Sequence, residues 1–98
     1  MNIQAMMKQA QKLQKEMMNE KEQIDKKEFI GKSSFVTATL KGNKELVNIK
    51  IDNQEFDASD IEMLEDMIVV AINDAMKQID LETEKSMGKY TKGMPGLF

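Results

Sequence analysis

Apolar side chains recur at a three-four spacing through the first quarter of the chain, at Ile3, Met6, Ala10, Leu13, Met17 and Ile24, with Glu20 as the one interruption. No Gly or Pro falls between residue 2 and about residue 27, so this period predicts one helix with a single apolar stripe. From Phe29 to Ile51 the period drops to two. Val36, Ala38 and Leu40 alternate against Phe35, Thr37 and Thr39, then Val47, Ile49 and Ile51 against Asn48 and Lys50. Two antiparallel strands are predicted, joined by a tight hairpin at Lys41-Gly42-Asn43-Lys44, where Gly and Asn tolerate positive φ. A short leading strand is read over about Glu28 to Lys32, with Gly31 as a candidate bulge. Ser59-Asp60-Ile61-Glu62 has the form of a capping box and opens a second helix expected from about Asp60 to Met87. Its stripe of Ile61, Leu64, Ile68, Ala71, Ile72, Ala75 and Ile79 is broad enough to cover a sheet. The fold class is α+β: a small antiparallel sheet with two long helices.

Length changes this picture. A 26-residue helix is about 39 Å long, whereas a compact chain of 98 residues has a radius of gyration near 13 Å and a diameter of roughly 33 Å. The first helix outruns its domain, so part of it projects or needs a partner. In the second helix Met67 and Val70 lie off the stripe, and from Met67 to Ile72 most of the circumference is apolar. One sheet face cannot bury both sides of that helix, so a symmetric homodimer is expected, with Met67, Val70 and Ala71 at its interface.

Composition then narrows the chemistry. All 14 basic residues are Lys, and the chain has no Arg, His, Cys or Trp. Without His or Cys there is no Ser-His-Asp or Cys-His site, no thiolate zinc site and no disulfide, so the chain is expected not to be an enzyme and to need no cofactor or small-molecule substrate. The longest apolar run, Met67 to Ile72, is far short of the roughly 20 residues that span a membrane. The polar residues among Met1 to Ala10 also break up any secretory signal, so a cytoplasmic location is expected. Residues 1–92 read as a single domain, and 93–98, Gly-Met-Pro-Gly-Leu-Phe, as a mobile tail with an apolar tip.

The net charge of −3 conceals a strong asymmetry: residues 1–50 carry +4 and residues 51–98 carry −7. Residues 1–15 and 85–98 each hold three Lys and no acid, while 52–84 hold 11 acids and Lys77. The acidic string Asp52, Glu55, Asp57, Asp60, Glu62, Glu65 and Asp66 lacks the order of a calcium loop, and the helix macrodipole explains its second half, so it is read as a solvated face with no metal. The ten Met residues, among them Met6, Met7, Met17 and Met18, are read as packing, across a dimer seam where they are not internal. Lys8, Lys12 and Lys15 share the helix face opposite the apolar stripe, and Lys85, Lys89 and Lys92 share one face of the second helix if it continues through Gly88. Both rows suit phosphate contact. Because Lys meets phosphate as a point charge and lacks the bidentate fork of Arg for guanine, duplex DNA would be bound through its backbone with low sequence specificity.

Three segments carry a family resemblance: Met6-Met7-Lys8-Gln9-Ala10-Gln11-Lys12-Leu13-Gln14, the run from Met63 to Ala75 (MLEDMIVVAINDA), and the closing Pro95-Gly96-Leu97-Phe98. In order and spacing over essentially the whole chain they resemble the YbaB/EbfC family of bacterial nucleoid-associated proteins. The resemblance implies a cytoplasmic, nucleoid-associated, intertwined homodimer of α-β-β-β-α protomers with helices projecting like tweezers. It also implies a protein that binds DNA and alters its conformation, with consequences for gene expression, and is not an enzyme. Carried onto this sequence, DNA contact by the projecting helices falls to Lys8, Lys12 and Lys15, and secondarily to Lys85, Lys89 and Lys92. Two other readings compete with it: a protein-protein adaptor accessory to replication, recombination or transcription, using the Met-rich helix and the apolar tail, and a helix over residues 1–27 lying on a membrane surface.

Overall fold

The computed structural model of the chain describes residues 2–52 and 57–93, with only the backbone of 91–93. Its elements are α1 (Ile3–Lys26), β1 (Glu28–Ser33), β2 (Val36–Lys41), β3 (Leu46–Ile51), a 3-10 turn (Ala58–Asp60) and α2 (Ile61–Gly93). The sheet is antiparallel in the order β1-β2-β3. The expected α-β-β-β-α order is therefore present, and α2 runs six residues beyond the Met87 boundary expected from sequence.

Helix α1 starts where the Asn2 side chain accepts the Ala5 N–H at 3.2 Å, satisfying one donor of the open first turn. It ends as Lys27 turns extended (φ −72°, ψ 142°), and β1 follows with no intervening loop. The capping box expected at Ser59 is replaced by another device. Asp57 accepts the Ser59 N–H at 3.4 Å, so Ser59 lies inside the 3-10 turn that leads into α2.

Alternation along β2 sends Val36, Ala38 and Leu40 to one face, and all three are fully buried. The matching face of α2 contributes Ala71, Ala75 and Ile79, with Ile24, Phe29, Met87 and Tyr90 completing the core. Small residues on the helix let it approach the sheet closely, and Gly31 is what permits the closest approach. A Cβ at Gly31 would overlap the carbonyl oxygen of Ala71 and lie 2.6 Å from the Ala75 nitrogen. Gly31 is thus no bulge: it pairs with Ala38 in unbroken register. The register irregularity lies instead between β2 and β3, at Thr39/Leu40, where Leu40 pairs with Leu46 and Val47 is the extra residue.

The hairpin at 41–44 also differs from expectation, since its positive φ falls on Lys44 (71°), while Gly42 serves close packing. Its amide donates to the Lys27 carbonyl at 2.9 Å, and a Cβ there would collide with the Ile24 carbonyl. The turn is therefore seated against the C-terminal end of α1. Helix α2 protects the outer edge of β1, where Gln78 Nε2 donates to the Ile30 carbonyl at 2.9 Å and Asp74 Oδ2 accepts the Lys32 N–H at 3.0 Å.

Helix α2 lies over β1 and β2 and leaves β3 largely uncovered. Ile49 and Ile51 pair with Ala38 and Val36, so they share the core-side face, yet Ile51 and Leu46 are exposed. The molecule is long, 71 × 19 × 13 Å, with a radius of gyration of 19.5 Å against roughly 13 Å for a compact chain of this size.

Candidate nucleic-acid interface

The two helices run antiparallel where they meet, because Ile24 and Lys27 lie near Ile79 and Glu82, whereas Leu13 and Glu20 lie near Lys89 and Tyr90. Leu13, Met17 and Ile24 supply the apolar contact, and of the three Ile24 is buried while the other two are partly so. Every residue from Ile3 to Lys12 is exposed. Those ten residues form an arm of about 15 Å standing clear of the core. The overlong first helix read from the sequence is present as this arm.

Lys8, Lys12 and Lys15 lie on the outer face of α1, all three exposed, and among the described residues none forms an ion pair or a side-chain hydrogen bond. From Lys8 to Lys15 the row spans about 10 Å of helix axis. The nearest acid in sequence is Glu16, so over the arm proper the positive charge is unopposed. The inner side of the arm is apolar and uncovered, with Ile3 66% and Met6 56% exposed.

The second row of lysines is not equivalent. Helix α2 does continue through Gly88, and Lys85 is exposed near Leu81 and Phe29. Lys89 is committed to α1: its Nζ donates to Glu20 Oε1 at 2.7 Å and lies 5.1 Å from the centre of the Tyr90 ring. Lys92 belongs to α2, and its side chain lies outside the described residues, as does the whole tail from Met94 to Phe98.

Glu20, the interruption in the apolar stripe, is the other half of this contact. Buried Tyr90 donates its hydroxyl to the same Glu20 oxygen at 2.9 Å. Hydrogen bonds from Lys89 and Tyr90 hold the Glu20 carboxyl below its ordinary pKa, and the bond to Glu20 holds the Lys89 ammonium above its own. Burial, with the bond to Glu20, pushes the Tyr90 phenol up. The sequence carried a hint of this pairing, a charge at a stripe position and a single Tyr in the chain, but nothing in it joined residues 70 positions apart.

Of the expected interface residues, Val70 is 53% exposed, as is its neighbour Val69 at 55%, and Met67 is half-buried against the core. Ala71 has to be withdrawn from that set, because it is fully buried inside the protomer beneath Gly31. Among the described residues no group of His, Cys, Asp or Glu is placed to hold a metal ion, and no helix is long and apolar enough to cross a membrane. Glu55 of the acidic string lies outside the described residues.

An α-β-β-β-α unit with a lysine-faced helix end beyond its core defines a small α+β protein with a projecting cationic arm. The YbaB/EbfC DNA-binding family matches residues 1–94, and the chain belongs to that family. It is 47% identical over 97 residues to a nucleoid-associated protein of Enterococcus faecalis, covering 97% of this chain and 93% of the relative. It is 50% identical over 97 residues to a nucleoid-associated protein of Streptococcus equi subsp. zooepidemicus, covering 97% and 98% of the two chains. The crystal structure of an uncharacterised Helicobacter pylori protein superposes with a TM-score of 0.72 at 23% identity, covering 95% of this chain and 99% of that one, which establishes the fold.

Proposed function

We propose that this protein is a nucleoid-associated, non-enzymatic DNA-binding protein that acts as a homodimer, gripping duplex DNA through the lysine faces of its α1 arms and altering its conformation. The observation that carries this reading is the unpaired row Lys8, Lys12 and Lys15 on a helix end that has no role in the core. Exposed Lys85 on α2, with Lys92 seven residues further along the sequence, is the second candidate for contact with the same duplex, and family membership supports DNA as the partner. Contact is directed at phosphates, since the chain offers no Arg fork for base edges, and sequence specificity is accordingly low.

Dimerisation is supported by apolar surface that the protomer leaves open: Leu46 and Ile51 on β3, and Val69 and Val70 on α2. A dimer brings two arms to one duplex. The acidic N-terminal part of α2 belongs to the end of the molecule away from the arm and repels DNA there, which favours arm-first docking. The test is a gel shift at low salt beside a variant with Lys8, Lys12 and Lys15 changed to Glu. Binding by the parent and its loss in a folded variant are expected, and a parent that shifts no duplex at low salt contradicts the reading. A second reading as a protein adaptor draws on exposed Ile3, Met6 and Met7. It predicts that changing these three to Ser removes a protein partner and leaves DNA binding intact.

A further inference from the structure

Two ion pairs tie α1 to the rest of the protomer along its seam with α2, and their polarity is opposed. Glu20 of α1 meets Lys89 of α2 at 2.7 Å, while Lys27, one residue beyond α1, meets Glu82 at 2.6 Å. The two pairs are seven residues apart on each side, two helical turns. Sliding one helix past the other by two turns would set Glu20 against Glu82, or Lys27 against Lys89, so like charges disfavour both displaced registers. In each pair the ammonium also lies near a ring, Lys89 at 5.1 Å from the centre of Tyr90 and Lys27 at 5.4 Å from that of Phe29.

We propose that Glu20, Lys89 and Tyr90 form a latch that fixes the direction and register of the DNA-binding arm, making Lys89 a positioning residue and not a phosphate contact. This rests on the arm reading given above. The contacts favour it. Both donors converge on one carboxylate oxygen, Tyr90 is buried and held by that bond, and Lys89 is already neutralised by a partner at 2.7 Å. Beyond Glu20 toward the N-terminus only Leu13 and Met17 pack on the core, both partly, and no polar contact ties that stretch of α1 to the rest of the described residues. The latch is therefore the outermost polar restraint on a lever. Lys8 lies about 18 Å further along the axis, so a tilt of about 10° at Glu20 moves it by about 3 Å. That shift is close to the 3.4 Å rise between successive phosphates of a DNA strand.

Glu20→Gln separates the roles. It keeps the size of the side chain, removes the ion pair and leaves Lys89 free. If the latch positions the arm, affinity for a duplex at fixed salt falls about fivefold, the measure of one surface ion pair at the upper end of its range. The slope of log affinity against log salt stays at the parent value, because the same phosphates are contacted. The double exchange Glu20→Lys with Lys89→Glu restores most of the affinity. If Lys89 instead contacts phosphate, Glu20→Gln binds more tightly and its slope steepens by about 1.8 for a dimer, which overturns the proposal. Unchanged affinity and slope overturn it as well. A readout independent of DNA comes from Tyr90, the single tyrosine in a chain without Trp. Its ionisation, followed by tyrosinate absorbance, begins above the ordinary range in the parent and moves down in Glu20→Gln, and amide exchange through α1 quickens. A Tyr90 titration that ignores the substitution removes the latch in solution, even where the protein binds no DNA and the arm reading has failed on its own.

Discussion

Replacing Gly31 by Ala adds one carbon at the tightest point of the fold. The new Cβ would overlap the Ala71 carbonyl oxygen and sit 2.6 Å from the Ala75 nitrogen and 3.0 Å from its Cβ. Two of these atoms are helix backbone, so no side-chain rotation relieves the overlap, and α2 must retreat from β1 by about 1 Å. A radial gap of 0.5–1 Å already forfeits a quarter to a half of each dispersion contact across it. The contacts at stake are those of Ala71, Ala75 and Ile79 with Val36, Ala38 and Leu40, the most deeply buried residues of the chain. The hydrogen bonds that Gln78 donates to β1 and Asp74 accepts from it stretch with them. Overpacking of this kind costs about 1–3 kcal/mol, and the lost edge bonds bring the total to about 3 kcal/mol. For a domain of this size that lowers the midpoint of thermal unfolding by about 12–24 °C. Gly88→Ala is the control, because its Cβ meets nothing within 4 Å and it lies within α2. Relief of helix-interior Gly should stabilise by about 0.5–1 kcal/mol. Both are read by circular-dichroism melts at one protein concentration, since the proposed dimer would make the midpoint concentration-dependent. A Gly31→Ala melt within about 2 °C of the parent would refute the packing argument.

Three further outcomes are expected. Asp74→Ala strips the Lys32 amide of its charged acceptor, costing about 1.5–3 kcal/mol in urea unfolding, and bares the β1 edge, so turbidity on heating should rise. Val70→Asp changes a half-exposed position outside the core, so light scattering should show a monomer whose secondary structure by circular dichroism is unaltered. The pH response of the latch follows from its shifts. Glu20 has a lowered folded pKa, so its contribution is present above the unfolded carboxylate value and is lost as pH falls through the lower folded one. Lys89 and Tyr90 have raised pKa values, so theirs is complete below the unfolded values near pH 10 and is lost as pH rises past them. The latch should therefore be level between about pH 5 and 9, and a Glu20→Gln variant should lose stability relative to the parent evenly across that window.

Much of this fold was legible from periodicity. The three-four stripe of α1 and the alternation of β2 are local patterns, and both elements appear within a residue or two of where the spacing puts them. What escaped depends on approach between distant segments. Gly31 reads locally as a bulge because nothing in β1 announces that the Ala71 carbonyl will press against it 40 residues later. Gly42 reads as a turn glycine for the same reason, whereas its position is dictated by the end of α1. Ala71 reads as part of an apolar girdle on α2, yet its small size is what admits it to the core. The arm lysines were legible because helix length against domain size needs no partner knowledge. Lys89 was not, since a row of lysines at four-three helical spacing cannot disclose that one of them faces a carboxylate on another helix.

The central claim is that the lysine row of α1 holds DNA by its phosphates, and the salt dependence of binding measures it most directly. Lys8, Lys12 and Lys15, contributed by both arms of a dimer, should account for about −5 of the slope of log affinity against log salt on a duplex. With the three changed to Gln in a protein that melts like the parent, the slope should become shallower by about that amount. A triple variant that keeps the parent slope would place the phosphate contacts elsewhere and contradict the account.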